Sequence, residues 1–169
     1  MANCKRIFII GHSGAGKGVL AEELAKELDW KFINADIIGA AGQIGRKLSE
    51  VIGKEGEKLL HICQHEILSH LCSQENIVVT TDESVISSDK CKEILGKEFT
   101  VLLEVGTSIQ VDRLSNYRPL LPVKDFHEFL EKIHLEFDTS YKDVSNFSLS
   151  SDNGDINKHV KSILHAMKM

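Results

Sequence analysis

The sequence predicts an α/β fold, a three-layer α/β/α domain around a parallel sheet, and three observations carry that reading. Short apolar runs rich in β-branched residues alternate along the chain with longer stretches of helical periodicity. The first run leads into Gly11-His12-Ser13-Gly14-Ala15-Gly16-Lys17-Gly18, a phosphate-binding loop. Polar groups, Asn34-Ala35-Asp36 and Asp82-Glu83-Ser84, follow two of the later runs, where ligands gather in open α/β sheets.

Lys5 to Ile10 reads as a buried strand, and Leu20, Leu24 and Leu28, with Ala21 and Ala25 beside them, place a helix directly after Lys17. Between strand and helix, the loop's successive N–H groups converge on an anion, and the positive end of the helix adds to them. Ser13, Gly14, Ala15, Gly16, Lys17, Gly18 and Val19 are therefore the expected nucleotide-binding set. Lys17 is a mobile point charge for the β- and γ-phosphates of ATP. The general motif has a Ser or Thr after this lysine to ligate Mg²⁺, but this chain has Gly18 and then Val19. Either phosphates, water and a remote carboxylate hold the ion, or catalysis is weakened.

Trp30 to Ile33 reads as a second strand, followed by a weakly patterned, glycine-punctuated region from Gly39 to Gly56. Leu60, Cys63, Ile67 and Leu71 lie on one stripe of a helix from Glu57 to Cys72. Ile77 to Thr81 is a third strand, Asp89 to Leu95 a short crossover helix and Phe99 to Leu103 a fourth strand. A helix over Ser108 to Leu114 precedes Ser115 to Pro122, which holds both prolines and reads as an exposed loop. Phe126, Phe129, Leu130 and Ile133 mark another helix, Phe147 to Leu149 an edge strand, and Ile156, Val160, Ile163, Leu164 and Met167 a last amphipathic helix.

The chain has 169 residues and a formal charge of −5, with no basic run to track a nucleic-acid backbone. No apolar stretch approaches bilayer length, and no charged-then-apolar leader precedes the first strand. Nucleic-acid and membrane partners are not expected; a cytoplasmic monomer of one domain, residues 1–169, is. Cys4, Cys63, Cys72 and Cys91 lack CxxC spacing and suit free thiols. His61 and His65 lie one helical turn apart, but spacing indicates no third metal ligand. His12 reads as filling a variable loop position.

The loop at Gly11, Asp36 after the second strand, Arg118-Pro119-Leu120-Leu121 between two helices, Glu55-Gly56-Glu57 opening the long helix and Leu102-Leu103-Glu104 closing the fourth strand together resemble the shikimate kinases over nearly the whole chain. The resemblance implies a P-loop kinase fold with a five-stranded parallel sheet and a mobile lid at about 113–125. It implies that Arg118 binds the transferring phosphate, that Arg113 lies against the adenine ring, and that ATP and Mg²⁺ are used. Asp36 is then a catalytic carboxylate beside Lys17 and Arg118, orienting the acceptor hydroxyl or taking its proton.

The same resemblance locates departures. Asn34 replaces a first Asp, and His61 and Phe137 replace two arginines that clamp the shikimate carboxylate. Thr81-Asp82-Glu83 replaces a triple-glycine turn. Losing two charge-assisted bonds, worth roughly 1.5–3 kcal/mol each, argues against shikimate as acceptor. His61, Asp82 and Glu83 become substrate-pocket candidates, and Asp82 a candidate Mg²⁺ ligand. The expectation is a kinase moving the γ-phosphate of ATP to a small hydroxyl compound. The alternative is a catalytically weak nucleotide-binding module of the same fold.

Overall fold

The computed structural model describes residues 4–35, 48–115, 123–153 and 155–168; Asp36 and Arg118 lie outside them. The apolar runs form β1 (Arg6–Ile10), β2 (Lys31–Ala35), β3 (Ile77–Thr81), β4 (Phe99–Glu104) and β5 (Phe147–Ser150). They pair in the order β2-β3-β1-β4-β5, every neighbouring pair parallel. The helices are α1 (Lys17–Leu28), α2 (Leu48–Leu71), α3 (Asp89–Lys97), α4 (Thr107–Ser115), α5 (Val123–Val144) and α6 (Ile156–Met167), with a 3-10 turn at Glu83–Ser87.

Strand alternation divides the core into two layers. Ile7, Ile9, Val78, Val101 and Leu103 pack with Leu20 and Leu24 of α1 and Ile163 of α6. Phe8, Ile10, Val79 and Leu102 pack with Leu68 of α2, Leu95 of α3 and Tyr141 of α5 on the other face. Each such aliphatic side chain contributes about 1.5–3 kcal/mol on burial, which is why the three central strands are continuous apolar runs. The edge strands β2 and β5 are only partly covered.

Two of the element boundaries that differ from the sequence reading have clear local reasons. Asp29 adopts a left-handed conformation (φ 56°) at the end of α1, and the Trp30 N–H bonds back to the Ala25 carbonyl at 2.8 Å. Trp30 thus closes the helix, and the strand begins at Lys31. Helix α2 begins at Leu48, running through Gly53 and Gly56, where glycine costs about 1 kcal/mol per position but does not end a helix. The order β2-β3-β1-β4-β5 puts the topological switch point beside β1, so the loop after Ile10 opens into the crevice at the carboxyl ends of the strands. No helix among the described residues is long and apolar enough to cross a membrane.

Candidate active site

The loop leaves β1 at Gly11, where a Cβ would collide with the Leu103 carbonyl oxygen of the neighbouring strand. It enters α1 at Gly16, whose φ of 94° is strained for any other residue. Between them every carbonyl has a partner. Gly11 O accepts from Lys17 Nζ (2.8 Å) and the Tyr141 hydroxyl (3.1 Å), and His12 O accepts from Lys17 Nζ and the Ala15 N–H (both 3.1 Å). Ser13 O accepts from Gln110 Nε2 (2.7 Å). Gly14 O and Ala15 O accept from Arg113 (2.9 and 3.2 Å), and Gly16 O from the Leu20 N–H. A trans peptide holds the next N–H opposite its carbonyl. Pinning the Ser13, Ala15 and Gly16 carbonyls therefore turns the N–H groups of Gly14, Gly16 and Lys17 the other way, the arrangement that cradles an anion.

An anion from the chain itself touches this loop: Glu83, at the start of the 3-10 turn after β3, accepts from the Ser13 N–H at 2.8 Å. Lys17 is buried, its ammonium folded onto the loop's own carbonyls. Arg113 also donates to the Ser151 hydroxyl (3.1 Å) and carbonyl (3.0 Å), so its guanidinium bridges the loop and the turn after β5.

At the β3 end, Asp82 is only 2% exposed, and Gln64 Nε2 donates to both of its oxygens at 2.7 and 2.9 Å. His61 Nε2 and Thr81 Oγ1 are buried with no hydrogen-bond partner. Asn34 Oδ1 accepts from Thr80 Oγ1 at 3.2 Å across the β2–β3 pair. Asp82 is held by Gln64 through both oxygens, each with a further lone pair, whereas Glu83 is already at the loop. Gly18 has nothing within 4 Å of where a Cβ would be, so no neighbour imposes glycine there. The residues thus fit Mg²⁺ held by carboxylate, phosphate and water, without a loop hydroxyl.

The structure brings together Lys17, Arg113, Glu83 and the loop backbone. His61 lies on α2 and Asp82 at the end of β3. Asp36 and Arg118 fall outside the described residues.

Sequence reasoning missed a second group. His12 is 3% exposed, with Nε2 2.6 Å from Asp138 Oδ1 of α5. Its ring lies 4.0 Å from that of His134 and 4.8 Å, edge-on, from that of Tyr141. Burial lowers the His12 pKa, against the Asp138 hydrogen bond that raises it. His134 Nε2 lies 2.9 Å from Gln110 Oε1, closing a chain from Ser13 through Gln110, His134 and Asp138 to His12. The available signal was the spacing of His134 and Asp138, one turn apart on α5.

The shikimate kinase family model matches residues 13–168. The chain is 29% identical over 155 residues to the shikimate kinase of Aliivibrio salmonicida, covering 90% of both chains. It is 29% identical over 167 residues to that of Francisella tularensis subsp. holarctica, covering 96% of this chain and 94% of the relative. In fold it resembles shikimate kinase from Acinetobacter baumannii in complex with shikimate (TM-score 0.78, 23% identity, 98% and 94% covered). Shikimate kinase from Bacteroides thetaiotaomicron gives a TM-score of 0.81 at 20% identity, covering 98% and 99%. Deoxyadenosine kinase from M. mycoides with bound dATP gives 0.67 at 17% identity, covering 97% and 100%. With the phosphate loop, the five-stranded parallel sheet and the family match in agreement, this chain belongs to the shikimate kinase family, a family of ATP-dependent P-loop kinases.

Proposed function

We propose that this protein transfers the γ-phosphate of ATP to a hydroxyl of a small molecule other than shikimate. The observation that carries the reading is the loop itself: its carbonyls are tied back by Lys17, Tyr141, Gln110 and Arg113, leaving the N–H groups of Gly14, Gly16 and Lys17 for phosphate. The N–H groups of Gly14, Gly16, Lys17, Gly18 and Val19 hold the polyphosphate, joined by that of Ser13 when Glu83 releases it, while the Ala15 N–H stays on the His12 carbonyl. Lys17 exchanges its carbonyl partners for the β- and γ-phosphates, where it offsets repulsion as charge moves to the leaving oxygen. Arg113 flanks the adenine, and Arg118, carried on a lid at about 113–125, reaches the transferring group and excludes water. Asp36 orients the acceptor and takes its proton as the new O–P bond forms and the bond from the γ-phosphorus to the β,γ-bridging oxygen breaks, releasing ADP. Mg²⁺, held by phosphate oxygens with Glu83 or Asp82, supplies charge neutralisation when bound.

The acceptor side favours a polar, uncharged or cationic compound. His61 Nε2 and Thr81 Oγ1 are buried without partners, and Asp82 and Glu83 repel a carboxylate. Among the described residues the arginines are Arg6, paired with Glu98 at the opposite end of β1, and Arg113, engaged at the loop. Neither meets an acceptor carboxylate.

A second reading, a nucleotide-binding module of low turnover, draws on Gly18 at the metal-hydroxyl position and on Asn34, which is bonded to Thr80. An ADP-release screen over hydroxyl metabolites, shikimate included, separates the two. Turnover on a non-shikimate acceptor is expected; efficient shikimate phosphorylation contradicts the acceptor argument, and ATP binding without any turnover favours the second reading.

A further inference from the structure

We propose that His12, His134 and Asp138 bind a divalent transition-metal ion of the zinc class, which links the phosphate loop to α5. Two imidazole nitrogens and a carboxylate oxygen converge there, the ligand atoms lying within 4.8 Å of one another. This donor set selects zinc, cobalt or nickel over Mg²⁺, which prefers oxygen.

The hydrogen-bond inventory calls for positive charge between these atoms. Gln110 Nε2 donates to the Ser13 carbonyl at 2.7 Å, which fixes the amide and leaves Oε1 facing His134 Nε2 at 2.9 Å. His134 Nε2 therefore carries a proton. In the neutral ring Nδ1 is then a bare lone pair, and it points at both Asp138 oxygens from 3.1 and 3.0 Å. A lone pair facing a carboxylate is repulsive unless a cation lies between. The His12 Nε2 approach to Asp138, 2.6 Å, takes either the proton of a neutral ring or a cation, and no hydrogen bond at Nδ1 fixes the His12 tautomer. Either each approach holds its own proton, or one metal ion serves all three atoms.

Three features favour the ion. The Gln110 carbonyl oxygen on the far nitrogen of His134 is the outer partner that metal-bound histidines commonly have, fixing the ring with Nδ1 toward the metal. Bonds of about 2.0–2.1 Å set tetrahedral ligands roughly 3.3 Å apart. To admit the ion the 2.6 Å His12–Asp138 contact opens by about 0.7 Å and the 3.0 Å His134–Asp138 contact by about 0.3 Å, and Asp138, 46% exposed, has room to move. A cavity of about 550 Å³ reaches His134 and Asp138, giving an entry path and room for water as a fourth ligand. His61 and His65, by contrast, assemble no third ligand among the described residues.

The test uses chelator-treated full-length protein without nucleotide, titrated calorimetrically with ZnCl₂, with Co²⁺ as a visible-absorption probe. One equivalent is expected, with Asp138→Asn and His134→Gln each weakening binding by roughly tenfold or more and Gln110→Ala by about tenfold. His65→Gln should leave it unchanged. Zinc-edge X-ray absorption on the wild type, which needs no variant to fold, should show two imidazoles and no sulfur. Absence of binding, binding indifferent to Asp138→Asn and His134→Gln, or a sulfur ligand would each overturn the assignment and leave protons in the cluster. None of these outcomes bears on ATP binding.

Discussion

Glu83 accepts a hydrogen bond from the Ser13 N–H at 2.8 Å, so an internal carboxylate lies against the loop that binds phosphate. A terminal phosphate arriving there meets like charge unless a cation is shared or Glu83 swings away. Glu83→Gln should therefore raise affinity for ATP in the absence of Mg²⁺ by roughly tenfold, a fraction of the full like-charge term at partial exposure. The Mg²⁺ enhancement of binding should shrink in parallel. Calorimetry at fixed ionic strength with and without Mg²⁺ reads both; affinity unchanged or lower in the metal-free arm contradicts the relationship.

Gly18 has open space where a Cβ would go, so Gly18→Ser places a hydroxyl beside the loop without a clash. If the metal-ligating hydroxyl is what this chain lacks, the variant should lower the Mg²⁺ concentration needed for half-maximal activity and raise turnover by about tenfold. That is a modest share of the several kcal/mol a well-held ion supplies. Helix α1 should also gain about 0.5 kcal/mol from replacing glycine. A Mg²⁺ titration superimposable on wild type would show that the ion is held without this position.

Arg113 joins the Gly14 and Ala15 carbonyls to Ser151, and lysine cannot reproduce that fork. Arg113→Lys should lower ATP affinity through a loosened loop and reduce stability by about 1 kcal/mol, less than the full value of charged hydrogen bonds because the group is only partly buried. Denaturant unfolding and nucleotide titration on the same variant check both; loss of stability with intact affinity would confine Arg113 to a structural part.

Cys72, beside the Arg6–Glu98 pair, has its thiol pKa pushed up to about 11, first by burial and then by the Glu98 charge. Burial also raises Cys4 and Cys91. The folded state holds these protons where the unfolded state has lost them, so the thiols' contribution to stability is full below about pH 9 and is lost between about pH 9 and 11. Cys72→Ser should flatten that decline, measured as denaturation midpoint against pH. Cys63, the exposed thiol, should be alkylated ahead of Cys72 in the native protein.

The strands and the loop were legible because they are local. The apolar run Ile77 to Thr81 and the spacing after Lys17 carry their own structure, and both stand where the sequence puts them. Boundaries set by a single backbone conformation were not: Asp29 at φ 56° moves the start of β2 past Trp30, and nothing in its identity announces that. The nucleotide half of the site was read from motif spacing, but the His12–Asp138 contact joins residues 126 positions apart. Spacing along the chain says nothing about such a pair; only packing α5 against the loop creates it. Glu83 was seen as a pocket carboxylate, while its bond to Ser13 depends on how β3 and β1 pair in register.

The central claim is that a loop with its carbonyls tied back and Lys17 folded onto it is ready for a nucleotide. Calorimetric titration of the wild-type protein with ATP and Mg²⁺, repeated on Lys17→Ala, tests it most directly. Saturable one-to-one binding to the wild type, weakened by about tenfold or more in the variant, is the predicted result. No binding to the wild type, or equal binding to both proteins, would contradict it.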